Sequence, residues 1–141
     1  MSSHTFFIGR TNLSYYTVPV AWLLCIAPHI YAVKLYDRIS PKHEFDKVNP
    51  RSLLPTLESN PDIDTSTKRR IARAEAAQWN GFENLGFFAA SVVAANVSGM
   101  EIFWVNSLSL AYIFSRVLFN VLYIKGVSGW VRSSVFHASS R

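Results

Sequence analysis

The chain is poor in the residues that staple small proteins. It has a single cysteine, Cys25, set inside an apolar run. No disulfide framework can form within the chain, and Cys25 reads as a small buried apolar residue with no neighbouring cation in sequence to activate its thiol. Zinc-ligand spacing and the aromatic signature of RNA-binding modules are missing as well, so neither a metal site nor a nucleic-acid partner is expected. There is no cleavable signal peptide to be read: the first ten residues are mixed, and the first apolar stretch is too long and too internal for an h-region. That stretch reads as a retained anchor.

What the chain does have is apolar surface. Of 141 residues, 50% are hydrophobic and 14% aromatic, with mean hydropathy +0.15. That is high for a soluble domain of this length, which is one domain's worth. The net charge of +5 fits nucleic acid or anionic lipid, and its distribution decides between them. Nine of the fourteen Lys and Arg lie between Lys34 and Arg73, in one stretch between apolar runs.

Leu13 to Tyr36 is about long enough to cross a bilayer and has Tyr at both ends. Pro19 and Pro28 lie within it, where membrane helices tolerate proline. Asp37 to Arg70 is polar and proline-rich and is expected to be a loop, with Asp64 or Thr65 capping the next helix. A long helix is expected over 71–97, polar first and apolar from Leu85, ended by Ser98-Gly99. Ile102 to Ile124 is a third span, interrupted by Asn106, Arg116 and Asn120. A fourth helix starts at Trp130 and reaches about two-thirds of spanning length by residue 141. The expected fold is therefore all-α: one integral membrane four-helix bundle over 1–141, its last helix cut short. Three such apolar segments would leave a soluble bundle little polar surface. The positive-inside rule places the basic loop 37–70 in the cytosol.

Ionisable groups in membrane helices cost roughly 2.5–3.5 kcal/mol each and so face a partner, a cavity or the bundle interior. On a helical wheel Arg73, Asn80 and Asn84 share a stripe flanked by Arg70 and Glu83. Tyr112, Arg116, Phe119 and Tyr123 share one on the third span, with Asn120 beside it, and Arg132 and Phe136 share another beside Ser133. Three helices thus each present an Arg-bearing stripe toward the cytosolic end, enough for a cationic chamber over an apolar floor. Simpler roles compete. Arg70 and Arg73 can snorkel to the headgroups. Glu83 can pair with Arg116 or Arg73. Asn80 and Asn84 can be interhelical glue. His29 on its apolar helix is more often a packed histidine than a base.

The stretch RAEAAQWNGFEN, followed by an apolar run, resembles the second helix of the MAPEG family, membrane-associated proteins in eicosanoid and glutathione metabolism. The matching positions are Arg73, Asn80 and Glu83. SRVLFNVLYI is similar to the family's third-helix motif through Arg116 and Tyr123, and Arg132-Ser133 follows sixteen residues beyond that Arg. FDKVNPRS looks like a variant of fungal members. The resemblance implies a homotrimer in the endoplasmic reticulum membrane that binds glutathione between subunits near the cytosolic face. Residues matching Arg73, Asn80, Glu83, Tyr123, Arg132 and Ser133 line that site in the family, with Arg132 beside the sulfur. Arg116 is a further candidate to hold a glutathione carboxylate, and Ser133 a donor to the sulfur. Trp79 and Phe136 stand where members often carry Arg and Tyr, and Phe119 where some members carry His.

Three functions follow. The first is a glutathione-dependent membrane transferase or peroxidase acting on lipophilic electrophiles. The second is an isomerase or cyclase that turns over a lipophilic metabolite without glutathione. The third is a non-catalytic membrane scaffold.

Overall fold

The computed structural model describes residues 11–40, 45–46 and 48–126. Four α-helices follow in order: α1 (Ser14–Ile39), α2 (Leu53–Ser59), α3 (Thr65–Val97) and α4 (Ile102–Lys125). α1, α3 and α4 run up, down and up, each packed on the other two. The protein is an all-helical membrane bundle. The fourth helix expected from Trp130 lies outside the described residues, as do Arg132, Ser133 and Phe136.

Among the described helices, α1 and α4 are long and apolar enough to cross a bilayer, yet only 22% and 11% of their most apolar windows are buried within the protein. A core helix of a soluble protein would be mostly covered. Here large side chains such as Tyr16, Phe87 and Phe114 point outward at 70–80% exposure, which lipid tolerates and water does not. α3 does not match α1 and α4 in apolarity, because its first half is charged.

Small residues let α1 and α3 approach. Ala21, Cys25, Pro28 and Ala32 form the buried stripe of α1, facing Ala74, Ala77 and Gly81 of α3. At the closest point a Cβ on Gly81 would lie 2.9 Å from Cys25 Sγ and 3.2 Å from its Cα. Glycine is therefore required there by the backbone-to-backbone approach, as small-residue seams in membranes require. Above and below this point sit two apolar clusters, one of Ala21, Phe88 and Val92, the other around Tyr36, Leu57 and Ile71.

The ends are tied by polar side chains. Asp64 caps α3, accepting the N–H groups of Ser66 and Thr67 at 2.9 and 3.0 Å, as the capping pattern predicted. Those donors hold its carboxyl well below the usual carboxylate range. At the opposite end, buried Asn106 of α4 accepts the Leu13 N–H at 2.8 Å and donates to the Thr11 carbonyl at 2.8 Å. Asn96 donates to Ser14 Oγ at 3.0 Å and bonds the side chain of Asn12. Asn106 and Asn120 thus serve the packing of α1. Asn120 donates to the Leu24 carbonyl at 2.9 Å. That carbonyl lies four residues before Pro28, which has no N–H to give it.

The segment 37–70 departs from its reading as a loop. Pro50–Ser52 makes a 3-10 turn and α2 follows at once. The cause is Leu53 and Leu57, four residues apart on one face, both buried against α1 and α3.

Candidate functional site

Arg73, Asn80 and Asn84 do share one face of α3, and that face meets α4. Arg116 on α4 donates Nη1–H to Asn80 Oδ1 at 3.0 Å. Two turns along α3, about 10 Å, Arg73 donates Nε–H to the Ile124 carbonyl at 3.2 Å. The helix stops just there because Gly126 takes the left-handed conformation, φ 71°. A Cβ on Gly126 would also fall 2.8 Å from Arg73 Cζ, so this glycine both ends α4 and leaves room for the guanidinium. Arg73 and Arg116 consequently lie on one interhelical seam and do not disperse to unconnected places.

The rest of the α4 stripe is partly aromatic. Arg116 sits over the Phe119 ring, 4.7 Å from its centroid, and Phe119 stacks on Tyr123 with centroids 5.2 Å apart. Asn120 faces α1, with its Oδ1 buried and without a hydrogen-bond partner among the described residues. Asn84 donates to the Asn80 carbonyl one turn back, at 2.7 Å, so it braces its own helix and does not glue two together. Glu83 is exposed and pairs with neither Arg73 nor Arg116. Arg70, itself exposed, lies over the Tyr31 ring of α1 at 5.4 Å. Below the seam, toward Met100, α3 and α4 leave an apolar groove of about 490 Å³ beside the stacked pair Phe88 and Tyr112.

The model of the MAPEG family matches residues 13–141. The chain belongs to the MAPEG family. Neither the comparison with curated proteins nor that with solved structures gave a match. Within this MAPEG chain, the motif positions Arg73, Asn80, Arg116 and Tyr123 all fall along the α3–α4 seam or at its end. Glu83 lies one turn beyond Asn80 on a more open face.

Sequence reasoning missed Glu75. This carboxylate is only 7% exposed, and its Oε1 lies 2.8 Å from His29 Nδ1 on α1. It is the one contact between a carboxylate and a basic side chain within 4 Å among the described residues. The available signal was its place next to Ala74 and one turn from Ile71, at the margin of the face that packs against α1.

Proposed function

We propose that this MAPEG protein is a glutathione-dependent transferase or peroxidase for lipophilic electrophiles, working as a homotrimer in the endoplasmic reticulum membrane with its basic loop in the cytosol. The observation that carries the reading is the Arg116–Asn80 hydrogen bond with Arg73 on the same seam. Two fixed guanidinium groups suit the two carboxylates of a tripeptide, through charge-assisted bonds. Glu83, open beside them, suits its amine.

Glutathione supplies a thiol that is mostly protonated at neutral pH, whereas the thiolate is the nucleophile. In this reading Arg132 holds the sulfur as the anion, since a guanidinium stays charged in a poor dielectric. Ser133 donates a hydrogen bond to the same sulfur. The thiol proton leaves to solvent, the sulfur bonds to the electrophilic carbon, and the leaving group departs with its electron pair. The apolar groove beneath the seam offers the lipophilic partner a place to lie.

The test is the purified full chain in detergent with glutathione and 1-chloro-2,4-dinitrobenzene, alongside calorimetric glutathione binding. A catalysed rate that Arg132→Ala abolishes is expected. No binding, and no rate beyond the uncatalysed reaction, would sink the reading.

The runner-up is an isomerase or cyclase that uses a lipophilic metabolite alone. It is favoured by Phe119, which fills the space between Arg116 and Tyr123 with an aromatic ring. A producing strain whose metabolite profile survives deletion of the gene counts against it. A membrane scaffold would keep its biological effect in the Arg132→Ala variant.

A further inference from the structure

α3 has a second polar stripe. Glu75, Gln78 and Trp79 cluster on one face, roughly 160° round the helix from Arg73, Asn80 and Asn84. They look toward α1 and the start of α2 and line a cavity of about 360 Å³ together with His29, Arg51 and Leu54. This is a separate place from the α3–α4 seam. Its volume is that of a small-molecule site.

The chemistry centres on His29. Its Nδ1 is engaged by Glu75 at 2.8 Å. An ionised carboxylate only accepts, so Nδ1 carries the proton and the Nε2 of a neutral ring keeps a lone pair. Nε2 has no hydrogen-bond partner among the described residues. Phe45 packs edge-on to the ring, centroids 6.0 Å apart at 73°, and restrains it from a second side. A histidine oriented by a buried carboxylate, its other nitrogen unengaged beside a cavity, is the arrangement of a general base with its orienting group. A purely structural tie between α1 and α3 has no need of the cavity.

The walls select the ligand. Trp79, Leu54 and Pro50 offer apolar surface, Arg51 a cation and Gln78 an amide donor. We propose that His29 and Glu75 form a proton-transfer site for a lipophilic carbonyl compound that carries an anionic group. The anionic group pairs with Arg51. The C–H bond next to the carbonyl breaks, the proton goes to His29 Nε2, and the bond's electron pair becomes an enolate. Gln78 donates to the enolate oxygen, and Glu75 stabilises the imidazolium. Once the imidazolium proton has exchanged with solvent, its return to the same carbon exchanges the substrate's hydrogen; in a substrate with a double bond one carbon further on, return to the far end of that bond moves it into conjugation. No oxidant or reductant is consumed. His29 is the catalytic residue and Glu75 the positioning residue.

The test uses the purified full chain in nanodiscs, in deuterated buffer without glutathione, with 4-oxo-4-phenylbutanoate as the probe. Proton NMR follows loss of the methylene signal next to the ketone. Exchange faster than with empty nanodiscs is expected, and His29→Gln should return it to that background. Glu75→Gln keeps an acceptor for Nδ1–H, so the helices stay joined; it should lower the rate at least about tenfold with KM little changed. Arg51→Gln, on the surface, should raise KM instead. Wild-type exchange at the empty-nanodisc level overturns the proposal. So does exchange that persists in His29→Gln, or a Glu75→Gln rate equal to wild type. Because glutathione is absent, failure here says nothing against the reading of the α3–α4 seam.

Discussion

Asn120 of α4 gives its side-chain N–H to the one backbone carbonyl of α1 that Pro28 cannot serve, that of Leu24, 2.9 Å away. A sequence irregularity in one helix is thus answered by a polar residue in another, and the bond fixes how α4 lies against α1. Replacing Asn120 by Leu should destabilise the bundle by about 1 kcal/mol, the scale of interhelical hydrogen bonds in membranes. In a Pro28→Ala background the restored N–H takes the carbonyl, so the same replacement should cost less. A double-mutant cycle by denaturant titration in detergent reads the difference; equal costs in both backgrounds would refute the coupling.

Gly81 meets Cys25 too closely for any side chain. Gly81→Ala should push α3 off α1 and cost about 1–3 kcal/mol, as overpacking does. Buried Cys25 should then react faster with a membrane-permeant maleimide. Unaltered labelling together with unaltered stability would show that the two backbones can part at no cost.

Asn80 pins the guanidinium of Arg116. Under the glutathione reading, Asn80→Leu frees that group and leaves it partly desolvated without its acceptor. Affinity for glutathione should fall about tenfold or more, on the scale of a lost hydrogen bond to a charged group. Calorimetry on the purified protein measures it. An unchanged dissociation constant would remove Arg116 from the site.

Asp64 carries a pH dependence whose sign is set by its cap. Hydrogen bonds from Ser66 and Thr67 depress its native pKa, so the folded form prefers the carboxylate. Its contribution is complete above the ordinary aspartate value of about 3.9. It declines as the pH falls below that value and is gone once the pH has dropped through the depressed native one. Hydrogen exchange at the amides of Ser66 and Thr67 should therefore lose protection on acidification in the wild type. In Asp64→Ala that protection should be missing at every pH. Acid-independent protection in the wild type would contradict the assignment.

The helices and their stripes were legible because they rest on local rules. The cap at Asp64, the stop at Ser98-Gly99, and the common face of Arg73, Asn80 and Asn84 all follow from the 3.6-residue period and from terminal chemistry. Partner choice was not legible. Asn120 and Asn106 lie on the apolar helix α4, and nothing local says that one completes a proline gap and the other the start of α1. Glu83 and Glu75 are both acidic residues of one helix, yet the first faces outward while the second meets His29. That outcome depends on which face of α3 the small residues of α1 admit. α2 escaped notice because a seven-residue helix carries too little periodicity to outweigh the prolines around it.

The asparagine ties at the head of α1 bear on how the chain is made. The partner of the Leu13 N–H is Asn106, 93 residues later. Until α4 emerges from the ribosome, the opening turn of the first helix lacks that acceptor, and only the ties of Ser14 and Asn12 to Asn96 of α3 are in place. A nascent chain halted between α3 and α4 should therefore hold its first segment loosely at that end. Release of α4 into the bilayer is then the event that locks all three long helices together.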